Sequence, residues 1–192
     1  MIRSRDDYLC YLRRDRQALG LRGSLREWLT NDVWRFQRLL RRVEYLRNCG
    51  AGPIDLLIRK IVSHRLRRLG RTLGFTIPVN VFGPGLAIAH IGTIVVNEHA
   101  RIGADCRLHV CVNIGAAIDD ATAAPRIGNN CYIGPGAKLY GSIVLADDIA
   151  IGANAVVNTS FQESSITIAG VPARKISNRG TSVHRPLQGG MQ

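Results

Sequence analysis

The chain has 192 residues, enough to bury a core, and 46% of them are hydrophobic, yet no run of 18 uncharged apolar residues occurs, which predicts no membrane-spanning helix. The first seven residues, Met1 to Asp7, lack the apolar stretch of a secretion leader, so a cytoplasmic location is expected. The net charge of +12 is lopsided: residues 1–75 hold 18 Arg and Lys against 7 Asp and Glu, whereas residues 76–192 hold 8 against 7. Nucleic-acid binding would want a known motif among the basic residues, and none is present. The basic residues read instead as a solvated helical face, with attraction to an anionic substrate or a membrane surface as the second reading. Five cysteines contain no Cys-x-x-Cys pair, so neither a structural disulfide nor a zinc site is expected.

Residues 1–75 read as an α-helical domain. A first helical stretch is expected from Arg5 to Leu19. Ser24-Leu-Arg-Glu27 is a capping box that opens a run with apolar residues at Trp28, Leu29, Val33, Phe36, Leu39, Leu40, Val43 and Leu46, ending at Asn48-Cys-Gly50. Another helix starts at Pro53 and carries Ile54, Leu57, Ile58, Ile61, Val62, Leu66 and Leu69 on one side before Gly70. Packing against the next domain is its expected role.

From residue 76 the period changes. Ile102, Leu108, Ile114, Ile127, Ile133, Leu139, Leu145, Ile151 and Val157 recur at six-residue steps, broken by seven extra residues between Ile114 and Ile127. Four places into each hexad stands a second small or apolar residue, among them Cys106, Val112, Cys131, Ala137, Ile143, Ile149 and Ala155. A period of six is neither 2 nor 3.6, and Gly, Asn and Asp fill the remaining places as tight corners would demand. Three hexads make one triangular coil, so residues 76–176 are expected to form a left-handed parallel β-helix. A β-sandwich would instead show strict alternation and irregular turn spacing. The extra residues must leave the coil as a loop. Extending the frame backwards places Pro84, His90 and Val96 at the repeat position, so a histidine stands where an aliphatic residue is expected. Residues 177–192 read as a polar, unstructured tail.

The segment Gly83-Pro-Gly-Leu-Ala-Ile-Ala-His-Ile-Gly-Thr-Ile-Val-Val-Asn-Glu98, the hexads, and the closing Ala169-Gly-Val-Pro-Ala-Arg-Lys-Ile176 resemble the hexapeptide-repeat acyltransferases, most of all their serine acetyltransferase branch. The resemblance covers about residues 80–176. It implies acetyl-CoA as donor, a homotrimer with sites in clefts between β-helices, and in some members trimers paired through the helical domains. His90 matches the catalytic histidine, whose imidazole takes the proton of an acceptor hydroxyl as that oxygen attacks the thioester carbonyl. The alternative is a buried histidine satisfied by hydrogen bonds.

For the donor the resemblance implies Gly115, Ala116, Pro135 and Ala153, small residues along the coils, with Lys138, Arg174 and Lys175 toward its phosphates. Asp15 aligns with the acidic residue that holds the acceptor's amino group. Two places depart from the branch: Ala89 stands where an aspartate orients the histidine, and Ala123-Ala124-Pro125 stands where a loop histidine meets the amino-acid acceptor. A backbone carbonyl or another carboxylate, with Glu98 as the candidate, must then orient His90. His99 and His109 fall at outward positions and read as surface residues. The acceptor is a serine hydroxyl or a sugar hydroxyl of a surface-polysaccharide precursor. A zinc enzyme of the β-helix carbonic anhydrase type would need three converging histidines and a close histidine pair, which the spacing of His90, His99 and His109 does not supply. A scaffold without activity is the remaining possibility.

Overall fold

A computed structural model describes residues 1–181 of the chain. Four helices come first: α1 (Arg5–Ala18), α2 (Leu25–Thr30), α3 (Asp32–Asn48) and α4 (Pro53–Leu73). The expected long helix opening at Ser24 is two helices, because Asn31 takes an extended backbone (φ −85, ψ 101) and its side chain accepts from the Trp34 N–H, capping α3. Asn31-Asp32 is a helix-start signal inside an apolar run, and there it overrides periodicity. Gly70 does not end α4. The helix runs on to Leu73 and stops at Gly74, which adopts the left-handed conformation (φ 79).

Gly70 marks a close approach instead. A Cβ placed there would lie 2.8 Å from the Phe75 carbonyl oxygen and 3.4 Å from the Phe36 ring. Glycine-to-alanine in a helix interior ordinarily stabilises by about 1 kcal/mol. Here the sign is expected to reverse: Gly70→Ala should lower the melting temperature in a thermal scan, and a rise would show that the α4 end has room.

Short strands follow: β1 (Phe75–Thr76), β2 (Ala87–Ile88), β3 (Ile94–Val96), β4 (Arg101–Ile102), β5 (Arg107–Leu108), β6 (Asn113–Gly115), β7 (Arg126–Ile127), β8 (Tyr132–Ile133), β9 (Lys138–Tyr140), β10 (Val144–Leu145), β11 (Ala150–Ile151), β12 (Val156–Val157), β13 (Thr167–Gly170) and β14 (Ala173–Ser177). They stack into three sheets, one per side of a triangular prism: β10-β7-β4, β14-β13-β11-β8-β5-β2 and β1-β3-β6-β9-β12. Every pairing is parallel except the closing hairpin of β13 with β14. The hexad aliphatics are the inward column of each side, as Leu108↔Ile133 and Ile114↔Leu139 show. Cys106 and Cys131 are buried among them as small hydrophobes. Corner residues repeat too: Gly85, Asp105, Asn130 and Asp148 all have positive φ at the same corner.

In the first coil the register departs from the extrapolated hexads. Phe82 bridges Ile102, Ile88 pairs with Leu108 and Val96 pairs with Ile114, so the second and third sides there lie eight residues apart instead of six. The repeat position is therefore Ile88, and His90 lies in a corner widened by two residues. The apparent aliphatic slot for His90 does not exist.

The helices close the open end of this coil. Phe36, Leu40 and Val43 of α3 and Leu66 and Leu73 of α4 share one core with Phe75, Phe82, Leu86 and Ile88. A buried ionic cluster ties the same elements together. Arg41 donates to Asp15 at 2.7 Å, to Glu44 at 3.0 Å and to the carbonyls of Phe82 and Gly83 at 3.0 and 2.7 Å. Asp15 also accepts from the Gly85 and Leu86 N–H groups, and Glu44 from the Asn80 N–H. Burial opposes the Arg41 charge, but Glu44 and Asp15 outweigh it and hold the guanidinium above its ordinary range.

The expected unstructured tail fails at its start. Ser177 is the last residue of β14, and Thr181 is buried, its N–H donating to the Asp148 carbonyl at 3.1 Å. Residues 182–192 lie outside the described residues.

Candidate active site

The widened corner His90-Ile91-Gly92-Thr93 follows β2 and is held by the end of α4. Gly92 (φ 146) donates to the Leu73 carbonyl at 3.1 Å, and the Ile94 N–H to the Gly74 carbonyl at 3.0 Å. The last carbonyls of α4, which lack helical partners, thus fix the loop bearing His90. The turn swings His90 out of the core, and its side chain is exposed. One coil on, His109 follows Leu108 directly. Its ring is half-buried, 5.8 Å centroid to centroid from His90 and 4.8 Å from Tyr132.

Five of the other residues implied for the site share this edge of the prism or border it. Pro135 and Ala153 occupy the same corner in the third and fourth coils, following Ile133 and Ile151 of the His90 side. Lys138, in β9, stretches back across the edge and donates to the Cys111 carbonyl at 2.6 Å. Arg174 lies on β14, at the far end of the same side, and is exposed. Lys175 is beside it but is already paired with Glu163 at 2.5 Å. Gly115 and Ala116 are on the next edge, across the face carrying β3, β6 and β9, where the extra residues leave the coil. Ala116 there lines a hollow of about 610 Å³ with Ile118, Tyr140 and Asn158. In that loop the Thr122 hydroxyl, then its N–H, hold the Asp120 carboxyl below its ordinary range.

Two expectations are corrected. Asp15 is wholly buried and its carboxylate is committed to Arg41 and two backbone N–H groups, so it offers no oxygen to an acceptor. Glu98 stands beyond β3, on a different corner from His90, and cannot orient that ring within one chain; its carbonyl accepts from Arg101. His99 is exposed, as a surface residue. His109 and Tyr132 are additions to the site, and the sequence hides them because the extrapolated frame aligned His90, not Ile88, with Leu108. Among the described residues no three His, Cys, Asp or Glu side chains converge on a point that could hold a metal, and no helix is long and apolar enough to cross a membrane.

Residues 124–159, the later coils, match the family of bacterial transferase hexapeptides (six repeats). A serine acetyltransferase of Helicobacter pylori is 34% identical over 119 residues, spanning 60% of this chain and 69% of that protein. The chain belongs to the serine acetyltransferase-like hexapeptide acyltransferases. A second serine acetyltransferase, from Synechococcus elongatus, is 32% identical over 129 residues, 66% of this chain. This acyltransferase-family chain spans only about half of that relative, 51% of its length. A Brucella abortus serine acetyltransferase solved in complex with coenzyme A superposes with a TM-score of 0.73 at 24% identity, covering 92% of this chain and 70% of that one. The likeness is one of fold: a left-handed parallel β-helix behind a helical block.

Proposed function

We propose that this chain is an acetyl-CoA-dependent O-acetyltransferase with His90 as its general base. The observation that carries the reading is the corner built for His90: two residues are added to the first coil, the end of α4 pins them, and the imidazole emerges at an edge lined by small residues. An extended donor could lie along that edge. From β2 to Arg174 on β14 there are five strand spacings, about 24 Å. Pro135 and Ala153 leave room beside the corner backbone, Lys138 and Arg174 supply positive charge toward phosphates, and Lys175 joins them once it leaves Glu163. The His90 imidazole takes the acceptor's hydroxyl proton as its oxygen attacks the thioester carbonyl, then returns it to the departing CoA sulfur. Acetyl passes directly from sulfur to oxygen, with no covalent enzyme intermediate.

A homotrimer, with a dimer of trimers paired through the helices as the second arrangement, would bring the Gly115–Ala116 edge of one chain to the His90 edge of the next. This reading puts the reaction in the cytoplasm. Serine is the first acceptor, as in the named relatives. A sugar hydroxyl on a polysaccharide precursor is the second reading, and two observations favour it: Asp15 is sealed in the ionic cluster, and Ala124 and Pro125 of the loop are buried apolar residues. CoA-thiol release from acetyl-CoA with L-serine, homoserine, sugars and nucleotide sugars separates them. Release with serine supports the first reading, release with a sugar alone the second, and no release with any acceptor overturns both.

A further inference from the structure

The helical block carries a groove of about 820 Å³ that the proposed reaction does not use. Five guanidinium groups line it, from Arg35, Arg38 and Arg42 of α3 and Arg65 and Arg68 of α4. Among the described residues the one carboxylate in the lining, Asp32, is already bound to Arg35 at 3.3 Å. Arg65 and Arg68 have no ion-pair partner among the described residues. Arg38 stacks on the Trp28 ring at 4.2 Å and donates to its carbonyl at 2.7 Å. Burial, and then the charge of Arg35, hold the Arg38 guanidinium below its ordinary range, as in a positive cluster short of counter-charge. Between the arginines the floor is apolar, with Leu12, Leu39 and Leu69.

The groove continues into exposed apolar surface. Ile54, Leu57, Ile61, Arg65, Arg68 and Thr72 follow one another at spacings of three and four, a single line along α4. The first three are 72%, 60% and 48% exposed, and the last three line the groove. On α2, Leu25, Trp28 and Leu29 form a matching line, 73%, 51% and 54% exposed. A soluble anion would satisfy the arginines but leave these side chains in water. A second copy of the same face would set five guanidinium groups against five, which repel.

We propose that this face docks the protein on an anionic lipid surface, the groove receiving lipid phosphates and the exposed side chains of α2 and the first turns of α4 entering the acyl boundary. Guanidinium groups pair with phosphate oxygens, and aliphatic and indole side chains sit at the headgroup level. The inference stands independently of the acetyltransferase reading. Its test is co-sedimentation of the full chain with phosphatidylcholine vesicles containing phosphatidylglycerol, against phosphatidylcholine alone. Binding should require the anionic lipid and fall with salt. Each interfacial arginine is worth about fivefold in partitioning, so Arg65→Gln with Arg68→Gln should weaken binding about 30-fold. Arg101→Gln with Arg126→Gln, exposed on the β-helix, should leave it unchanged, and circular dichroism checks that both variants are folded. Ile54→Ser with Leu57→Ser should weaken binding as well. Equal binding by wild type and the α4 double arginine variant, or no preference for anionic vesicles, overturns the proposal. Calorimetric binding of inorganic pyrophosphate without any vesicle binding would make the groove a soluble-anion site. An oligomer that Ile54→Ser with Leu57→Ser dissociates, with no vesicle binding, would give the face to a second copy; either result rejects the lipid.

Discussion

His90→Ala protein is expected to release CoA about 10²- to 10⁴-fold more slowly than wild type with the preferred acceptor, the ordinary contribution of a positioned general base. The comparison is clean because His90 is exposed and belongs to no core cluster, so its removal opens no cavity. The corner keeps its shape through backbone hydrogen bonds from Gly92 and Ile94 to the end of α4, which involve no imidazole atom. Circular dichroism and the melting temperature should therefore match wild type, and the loss should fall on kcat while acetyl-CoA binding persists. Partial rescue by added imidazole would tie the loss to proton transfer. A variant with unchanged turnover would make His90 a bystander and leave a scaffold role as the better account.

The second large effect concerns stability. Arg41→Met is expected to lower the free energy of unfolding by about 3–5 kcal/mol in a urea titration. The substitution keeps most of the volume and removes the charge, so the loss measures electrostatics and hydrogen bonding more than packing. It would leave Asp15 and Glu44 as two buried carboxylates without a cation, and the Phe82 and Gly83 carbonyls without their donor. Deleting one member of a buried ion cluster is costly because the others remain desolvated. A change within about 0.5 kcal/mol, the range of ordinary surface substitutions, would show that water reaches the cluster and replaces the guanidinium.

The prism was legible in the sequence because its signal is redundant: each inward column repeats the same residue class coil after coil, and the seven extra residues after Ile114 interrupt it once. The first coil was not, for the opposite reason. Ile88 and Ile94 are both apolar, so a strict six-residue frame threads them as easily as the true register does, and nothing local marks the two added residues except Gly92. That slip puts His90 in the wall, away from His109. The Asp15–Arg41–Glu44 cluster was hidden for another cause. Its members are 26 and 3 residues apart, and charged residues on helices are ordinarily solvated, so only the position of α1 over the first coil shows that Asp15 is sealed. Asn31 was readable as a cap, but an apolar run that continued past it spoke for one helix.

The stacking of coils also makes the molecule unequal along its length. Each coil touches only its neighbours, and the coil bearing His90 is the one clasped by helices, through Arg41 on one side of the prism and the end of α4 at the corner. Fraying from the opposite end would have three coils to cross before it reached the imidazole. The same one-directional order separates what can change from what cannot. On the proposed reading, a coil gained or lost at the distal end would alter the length of the edge available to a long donor and leave the geometry at His90 as it was, so the reach of the site and its chemistry would be set by different parts of the chain.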